Sequence, residues 1–382
     1  MSSSFASSIL PSDQAHMQKW MQLALEQAAK ALHVSDPNPR VGCILVNADN
    51  QCIGSGSTQA VGGPHAEIMA LRDARSRGHS TQGATAYVTL EPCSHHGRTP
   101  PCADALVQAG ISRVVIAAID PNPRVCGHGI ETLKRAGIQV SHGILAQQSR
   151  ELNIGFFKRM QNQMPWVRLK AACSLDGKTA LSNGSSQWIT QEPARADGHT
   201  WRARASAVLT GIGTILADDP LLNVRAIQVE KQPWHVILDT RLRTPPSAAI
   251  LKNPGQKLIY TASTDTHKIN LLEQAGATVC TAPLEHGNTR LDLTWVLRDL
   301  AQRECNELHV EAGSALSSAF ITNHLVDELL LYMAPRLLGQ GRELVTGFMP
   351  ETLDNTLDYQ FHNISQVASD LRILLRPRPF ST

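Results

Sequence analysis

Between residues 64 and 102 the chain sets its most reactive side chains at junctions of strands and helices, and this placement restricts the fold more than any bulk property. Pro64-His65-Ala66-Glu67 opens an expected helix whose apolar side holds Ile68, Met69 and Leu71. Pro92-Cys93 follows an expected strand over 84–90, and Cys102 stands at the start of the next helix, around 101–109. If these segments converge, two helix N-termini face each other, which suits anionic thiolates because unpaired N–H groups and helix dipoles favour negative charge. Zinc takes His nitrogen and Cys sulfur in a tetrahedral arrangement, and three protein ligands leave one position for a water. Such a water becomes a nucleophile near neutral pH. Glu67, two residues from His65, is a poor ligand candidate but well placed to move a proton between that water and a leaving amine. The other reading is a structural zinc with a fourth ligand from His95, His96 or Cys126.

The alternation around this motif predicts layered α/β structure. Met17, Trp20, Met21, Ala24, Leu25, Ala28 and Leu32 recur at helical spacing, and Asp36-Pro37-Asn38-Pro39 stops that helix. Strands are expected over 41–46, 51–57, 113–119 and 138–141, with a helix over 129–136. A length of 382 residues exceeds one typical domain, so two are expected. The division reads as a mobile Ser-rich segment over 1–14, a metal-binding domain over 15–146, a polar linker over 147–164 and a second α/β domain over 165–382. In that domain, strands are expected over 166–172, 207–210, 235–238, 258–261, 278–281, 308–311 and 328–333. Helices are expected over 192–203 and 293–304, with short strands after 340.

Composition excludes several classes. A formal net charge of +2 gives no global pull on nucleic acid or an anionic membrane. There is no apolar run long enough to span a bilayer and no secretory-type start, so a reducing cytoplasm is expected. Eight cysteines in this length do not make a disulfide scaffold. Apart from Cys93 and Cys102 they read as reduced residues, Cys43 and Cys173 as small hydrophobes in strands.

A second constellation lies in the C-terminal half. Leu209-Thr210-Gly211-Ile212-Gly213-Thr214 follows a strand, but position 216 is Leu, so the full dinucleotide fingerprint is missing. Val310-Glu311-Ala312-Gly313-Ser314-Ala315 ends a strand and opens a helix. Backbone N–H groups there can hold a phosphate, although taken by itself such a start is more often ordinary capping.

His-x-Glu followed by Pro-Cys-x-x-Cys is the signature of zinc nucleobase deaminases; here eight residues, not two, separate the cysteines. With that insert the chain resembles the bifunctional riboflavin-biosynthesis deaminase–reductases. The resemblance rests on Asp36-Pro37-Asn38-Pro39-Arg40-Val41-Gly42, Pro64-His65-Ala66-Glu67, the stretch Thr89-Leu90-Glu91-Pro92-Cys93 through Cys102, and Asp120-Pro121-Asn122-Pro123. In the second half it rests on Ser174-Leu175-Asp176-Gly177-Lys178, Ser186-Gln187-Trp188-Ile189-Thr190, Leu216-Ala217-Asp218-Asp219-Pro220 and Val310-Glu311-Ala312-Gly313. It implies a cytidine-deaminase-like three-layer domain with a mixed sheet, then a dihydrofolate-reductase-like domain with a mostly parallel sheet. It further implies zinc-dependent hydrolytic deamination of 2,5-diamino-6-(5-phosphoribosylamino)pyrimidin-4(3H)-one, then reduction of the ribosyl unit to ribityl by NADPH.

Residue by residue, the resemblance implies His65, Cys93 and Cys102 as zinc ligands, Glu67 as the proton carrier and Asn38 as a pyrimidine contact. Ser186, Arg202, Leu222, Arg225 and Glu311 would touch the reductase substrate, and an arginine fork suits its phosphate. Ala172, Trp188, Thr214, Asp218 and Thr240 would touch the cofactor, with Gly313, Ser314, Ala315, Leu316, Ser317, Ser318 and Ala319 around its phosphates. On the residues alone, Asn38 is better read as a turn residue between two prolines and Trp188 as a core or lid aromatic, while Arg202 could be a solvated helix position and Glu311 a structural carboxylate. His95, His96, Lys170 and Asp176 receive no role. A homodimer through the reductase domain is also implied. Two further readings stay open: a deaminase acting on a base in nucleic acid, which 4% aromatic content disfavours, and a non-catalytic zinc-stabilised protein.

Overall fold

The computed structural model describes residues 11–94, 100–123 and 125–378, and the chain forms two compact units, Met1–Asn162 and Gln163–Thr382. Most of the expected mobile segment, and His95 and His96, lie outside the described residues. Residues 11–14 already belong to the first helix.

The first unit runs α1 (Pro11–Lys30), β1 (Gly42–Val46), β2 (Cys52–Ser57), α2 (Ala66–Ser76), β3 (Thr85–Leu90), α3 (Cys102–Gln108), β4 (Arg113–Ala118), α4 (His128–Arg135), β5 (Gln139–His142), α5 (Ala146–Leu152) and α6 (Ile154–Asn162). Its sheet has the order β2-β1-β3-β4-β5, with β1 antiparallel to both neighbours and β3, β4 and β5 parallel. The strand period of two divides β1 between two cores. Ile44 and Val46 meet Met17, Trp20, Met21 and Ala24 of α1, whereas Cys43 and Leu45 join the cluster containing Ala66, Ala70 and Ala74 of α2. The mixed three-layer arrangement is the expected one.

Two glycines set how closely α2 approaches the sheet. A Cβ on Gly56 would lie 2.4 Å from the Ala66 carbonyl oxygen and 2.5 Å from the Ala70 nitrogen. A Cβ on Gly54 would lie 2.4 Å from the Ala70 oxygen. The alanine stripe of α2 therefore rests directly on strand backbone, which fixes the height of the helix that begins beside His65.

The stretch 147–164, expected as a linker, is corrected by the structure: α5 and α6 occupy nearly all of it, and Phe156 and Phe157 enter the first unit's core. Its polar residues dominate the composition, but two adjacent aromatics suffice to anchor a short helix once a sheet is there to receive them.

The second unit runs β6 (Trp166–Ser174), β7 (Lys178–Leu181), α7 (Glu192–Arg204), β8 (Ala207–Gly211), α8 (Ile212–Asp218), β9 (Trp234–Leu238), α9 (Ala249–Lys252), β10 (Lys257–Thr261), α10 (Thr266–Gln274), β11 (Thr278–Thr281), α11 (Leu293–Gln302), β12 (Glu307–Val310), α12 (Ser314–Thr322), β13 (Glu328–Ala334), β14 (Gly341–Glu343), β15 (Tyr359–Val367) and β16 (Asp370–Pro377). Its sheet has the order β11-β10-β9-β8-β12-β6-β13-β16-β15. The strands from β11 to β13 pair in parallel, and β16 and β15 add an antiparallel hairpin at one edge. The central parallel strands are largely buried and mostly apolar, as expected of strands inside a parallel sheet, but they also carry buried Arg168, His235, Glu307, His309 and Glu328. Of the short strands expected after 340, β14 is one, whereas β15 and β16 run to nine and eight residues. Edge strand β15 is largely exposed, so no buried alternation marks it in the sequence. On β6, buried Arg168 pairs with Glu307 at 3.0 Å and Glu328 at 2.6 Å, and stacks 4.6 Å over Trp201 of α7.

Candidate metal centre and strand-end site

Three side chains converge beyond the carboxyl end of β3, the central strand of the first unit's sheet. His65 is the N-cap residue of α2, Cys102 is the first residue of α3, and Cys93 lies on the loop after β3. His65 Nδ1 is 3.3 Å from Cys102 Sγ and 3.7 Å from Cys93 Sγ, and the three donor atoms all lie within 4.8 Å of one another. The backbone N–H of Cys102 donates to Cys93 Sγ at 3.3 Å, the helix-start stabilisation of a thiolate expected from the sequence. A hydrogen bond from the Cys102 thiol, then His65, holds the Cys93 thiol down at about 4 against the opposing effect of burial. One nitrogen and two sulfurs at this spacing are a donor set that fits zinc. Exposed Cys126 stands outside the group.

Glu67 sits in the first turn of α2 and is 3% exposed. Loss of water around it, then the negative Cys93, pushes its carboxyl up to about 7, with His65 opposing. A carboxyl balanced there can accept and return a proton near neutral pH. Asn38 is half-buried on the segment entering β1; its N–H donates to Ser35 O at 2.8 Å, and its carbonyl accepts from Ser35 Oγ at 3.2 Å. Glu91, given no role from the sequence, is buried beside the Cys93 loop. Its carboxylate accepts from the N–H groups of Asp120, Gly127, Gly129 and Ile130, which ties that loop to the start of α4. The signal was an acid inside Leu90-Glu91-Pro92-Cys93, but its partners are far along the chain.

In the second unit, the cofactor candidates lie at the carboxyl ends of neighbouring strands. Thr240 follows β9, Thr214 and Asp218 lie on α8 after β8, Gly313 follows β12, and Ala172 is near the end of β6, in the sheet order β9-β8-β12-β6. This is where open parallel sheets hold ligands. Gly313 is the N-cap of α12, makes no side-chain cap, and faces open space where a Cβ would stand. Gly313 and Ala315 are exposed, and Ser314 and Leu316 partly so. This uncapped start fits a cofactor phosphate. Ser317 and Ser318 turn inward instead: Ser317 Oγ donates to Ala312 O at 3.2 Å, and Ser318 Oγ accepts from Thr346 N at 2.7 Å. Ala319 is partly buried behind them.

The charged candidates meet. Arg202 Nη2 and Nε reach Glu311 at 2.9 and 2.5 Å, Arg202 Nη1 donates to Asn223 O, and Lys170 Nζ is 3.6 Å from Glu311. Arg202 is therefore not a solvated helix position. Although burial opposes it, Arg202 and then Lys170 hold the Glu311 carboxyl well below the usual range. Arg225 is exposed; its N–H donates to His199 Nδ1 at 3.4 Å and its Nη1 to Asn223 Oδ1 at 3.3 Å. Leu222 is buried just before them. His199 and fully buried His309, 3.3 Å from Glu311, were missed because isolated histidines carry no spacing signal. Ser186 and Trp188 lie on the exposed segment before α7. Arg195 stacks 4.5 Å from the Trp188 ring, and Arg336 donates to its carbonyl. Asp176 accepts from Ser174 Oγ and from the N–H groups of Leu338 and Gly339, so it ties together two loops.

A His-Cys-Cys donor set with a buried glutamate defines a zinc-deaminase type of site, and the second unit gathers Arg202 and Lys170 around Glu311 just after β12. Residues 14–118 match the cytidine and deoxycytidylate deaminase zinc-binding region, and residues 165–373 match the RibD C-terminal domain. The chain is 41% identical over 365 residues to the riboflavin biosynthesis protein RibD of Escherichia coli (strain K12), covering 92% of this chain and 97% of that protein. The Acinetobacter baumannii RibD structure (form 2) superposes with a TM-score of 0.86 at 42% identity, covering 96% of this chain and 100% of that one. A Thermotoga maritima structure, named as a diaminohydroxyphosphoribosylaminopyrimidine deaminase/5-amino-6-(5-phosphoribosylamino)uracil reductase, gives 0.85 at 32% identity with the same coverage. The chain belongs to the RibD family of bifunctional riboflavin-biosynthesis enzymes. No helix among the described residues is long and apolar enough to cross a membrane.

Proposed function

We propose that the first unit hydrolyses the 2-amino group of 2,5-diamino-6-(5-phosphoribosylamino)pyrimidin-4(3H)-one. The second unit then reduces the ribosyl side chain with NADPH, giving 5-amino-6-(5-phosphoribitylamino)uracil. The observation that carries the reading is the meeting of His65, Cys93 and Cys102 around one point with Glu67 buried against Cys102.

His65, Cys93 and Cys102 hold the zinc, which when bound supplies Lewis-acid activation of a water. Asn38 fixes the pyrimidine by hydrogen bonding. Glu67 carries the proton: its carboxylate accepts one from the attacking water, and its carboxylic acid returns one to the 2-amino nitrogen, which leaves as ammonia. Burial raises this carboxyl above the usual carboxylate range, which supports a group that holds a proton as well as releasing one.

In the second unit NADPH supplies the hydride when bound. The backbone N–H groups at the start of α12, from Gly313 to Leu316, hold its phosphates, with Ala172, Trp188, Thr214, Asp218 and Thr240 lining the rest of its path. Arg225 and Arg202 serve the substrate's phosphoribosyl portion with Ser186 and Leu222, and Glu311, held anionic by Arg202 and Lys170, faces its hydroxyls. Positioning the ribose carbon against the cofactor is the main contribution of these side chains. A homodimer through the second unit and a cytoplasmic location belong to the same reading, supported by the exposed Phe361 and Ile364 on edge strand β15 and by the free cysteines.

The test supplies the diaminopyrimidine phosphoribosyl compound with and without NADPH. Deaminated ribosyl product is expected without cofactor and ribityl product with it. Metal-replete protein that releases no ammonia would overturn the deaminase reading, and ribosyl product left unreduced by NADPH would overturn the reductase reading.

A further inference from the structure

We propose that Asn153, on the turn between α5 and α6, is a positioning residue of the deaminase site that acts through the substrate-contacting loop at Asn38. The inference rests on the reading of Asn38 given above.

Asn153 is 1% exposed and spends its whole amide on fixed backbone. Its Oδ1 accepts from Arg40 N–H at 2.7 Å, and its Nδ2 donates to Arg40 O at 3.0 Å and Ser149 O at 3.2 Å. Arg40 is thus gripped at both backbone groups, the geometry of a sheet pairing made by one side chain. The Arg40 guanidinium donates in turn to Leu152 O at 2.8 Å. Two residues earlier stands Asn38, held on its other side by Ser35. The loop entering β1 is therefore fixed at both ends, once by the turn after α1 and once by a residue more than a hundred positions away.

The same helix reaches the metal side. Ser149, one turn before Asn153, donates its hydroxyl to Thr89 O, and Thr89 Oγ1 accepts from Gly42 N–H at 3.0 Å. Thr89 is near the end of β3, which leads into Glu91-Pro92-Cys93. One face of α5 thus clamps both strand ends that carry deaminase residues. Only an amide can donate and accept at Arg40 without leaving a buried polar group unpaired.

The test is a double-mutant cycle on the full-length zinc-loaded chain with the diaminopyrimidine phosphoribosyl compound. Asn153→Ala is expected to raise the deaminase KM on the order of tenfold while kcat changes little, since a few tenths of an ångström of drift in a binding group is paid in positioning. Zinc per chain and reductase rate should be unchanged. Asn38→Ala should raise KM similarly, and the double variant should match Asn38→Ala alone. Additive effects, or a fall in kcat and zinc content without a KM change, would overturn the proposal. If Asn153→Ala fails to fold, isosteric Asn153→Asp, which keeps the acceptor for Arg40 N–H but loses the donor to Arg40 O, must still raise KM; a wild-type KM there refutes the idea. An unchanged KM in Asn38→Ala would instead refute the reading of Asn38.

Discussion

Gly56 offers the sharpest test of how the fold positions the deaminase site. Replacing it with alanine puts a Cβ 2.4 Å from the Ala66 carbonyl oxygen, 2.5 Å from the Ala70 nitrogen and 2.6 Å from the Met69 Cβ. Two of these neighbours are helix backbone and cannot swing aside, so α2 must lift from β2. Restoring ordinary contact requires about 0.6–1 Å of movement. Overpacking of this kind costs roughly 1–3 kcal/mol, or a fall in melting temperature of about 2–12 °C for a unit of this size. Ala66 lies between His65 and Glu67, so the lift carries a metal ligand and the proton carrier with it. A misplacement near 1 Å can lower a rate by up to about a hundredfold. Thermal unfolding, zinc per chain and ammonia release would be measured for Gly56→Ala, with ribosyl reduction by the same preparation as reference. The expected result is reduced zinc retention and reduced kcat with reduction preserved. Full zinc, wild-type kcat and an unchanged melting temperature would show that glycine does not set the height of α2.

Glu67→Gln should keep zinc while deamination falls by roughly 10²–10⁴-fold; loss of metal measured by atomic absorption would make Glu67 a ligand. Arg225→Ala, at an exposed position, should raise the reductase KM by about tenfold and leave ammonia release unchanged. Stability should also depend on pH. Burial holds both His199 and His235 down at about 4 from an ordinary 6.5, so the unfolded chain binds more protons between those values. Their contribution is therefore full above about pH 6.5 and is lost as pH falls toward 4. Urea midpoints measured at pH 7.5, 5.5 and 4.5 should decline, and His235→Leu should flatten the decline.

The metal donors were legible because a His, a Glu and two Cys fell at places where apolar periodicity changes, so local pattern and chemistry agreed. Most parallel strands were legible as apolar runs for the same reason. Residues 147–164 were not, because α5 and α6 act through Asn153, Ser149, Phe156 and Phe157, single residues whose partners lie far away in sequence. Arg202 and Glu311 could be picked out as candidates, but only tertiary structure shows that they form a two-pronged ion pair instead of separate surface charges. The β15–β16 hairpin was blurred because exposed edge strands need no alternation, and Glu91 because four backbone donors leave no trace in composition.

The donors His65, Cys93 and Cys102 come from two helix starts and a loop, so they are neighbours only once the first unit's sheet has formed. In the unfolded chain they are three separate weak ligands. An ion that binds the folded arrangement selectively shifts the folding equilibrium by mass action, adding about 2.7 kcal/mol when free metal is a hundred times its dissociation constant. Folding of this unit and its metal occupancy are thus one linked equilibrium. Scarcity of the ion would withdraw the deaminase twice, by emptying the site and by enlarging the unfolded population exposed to proteolysis.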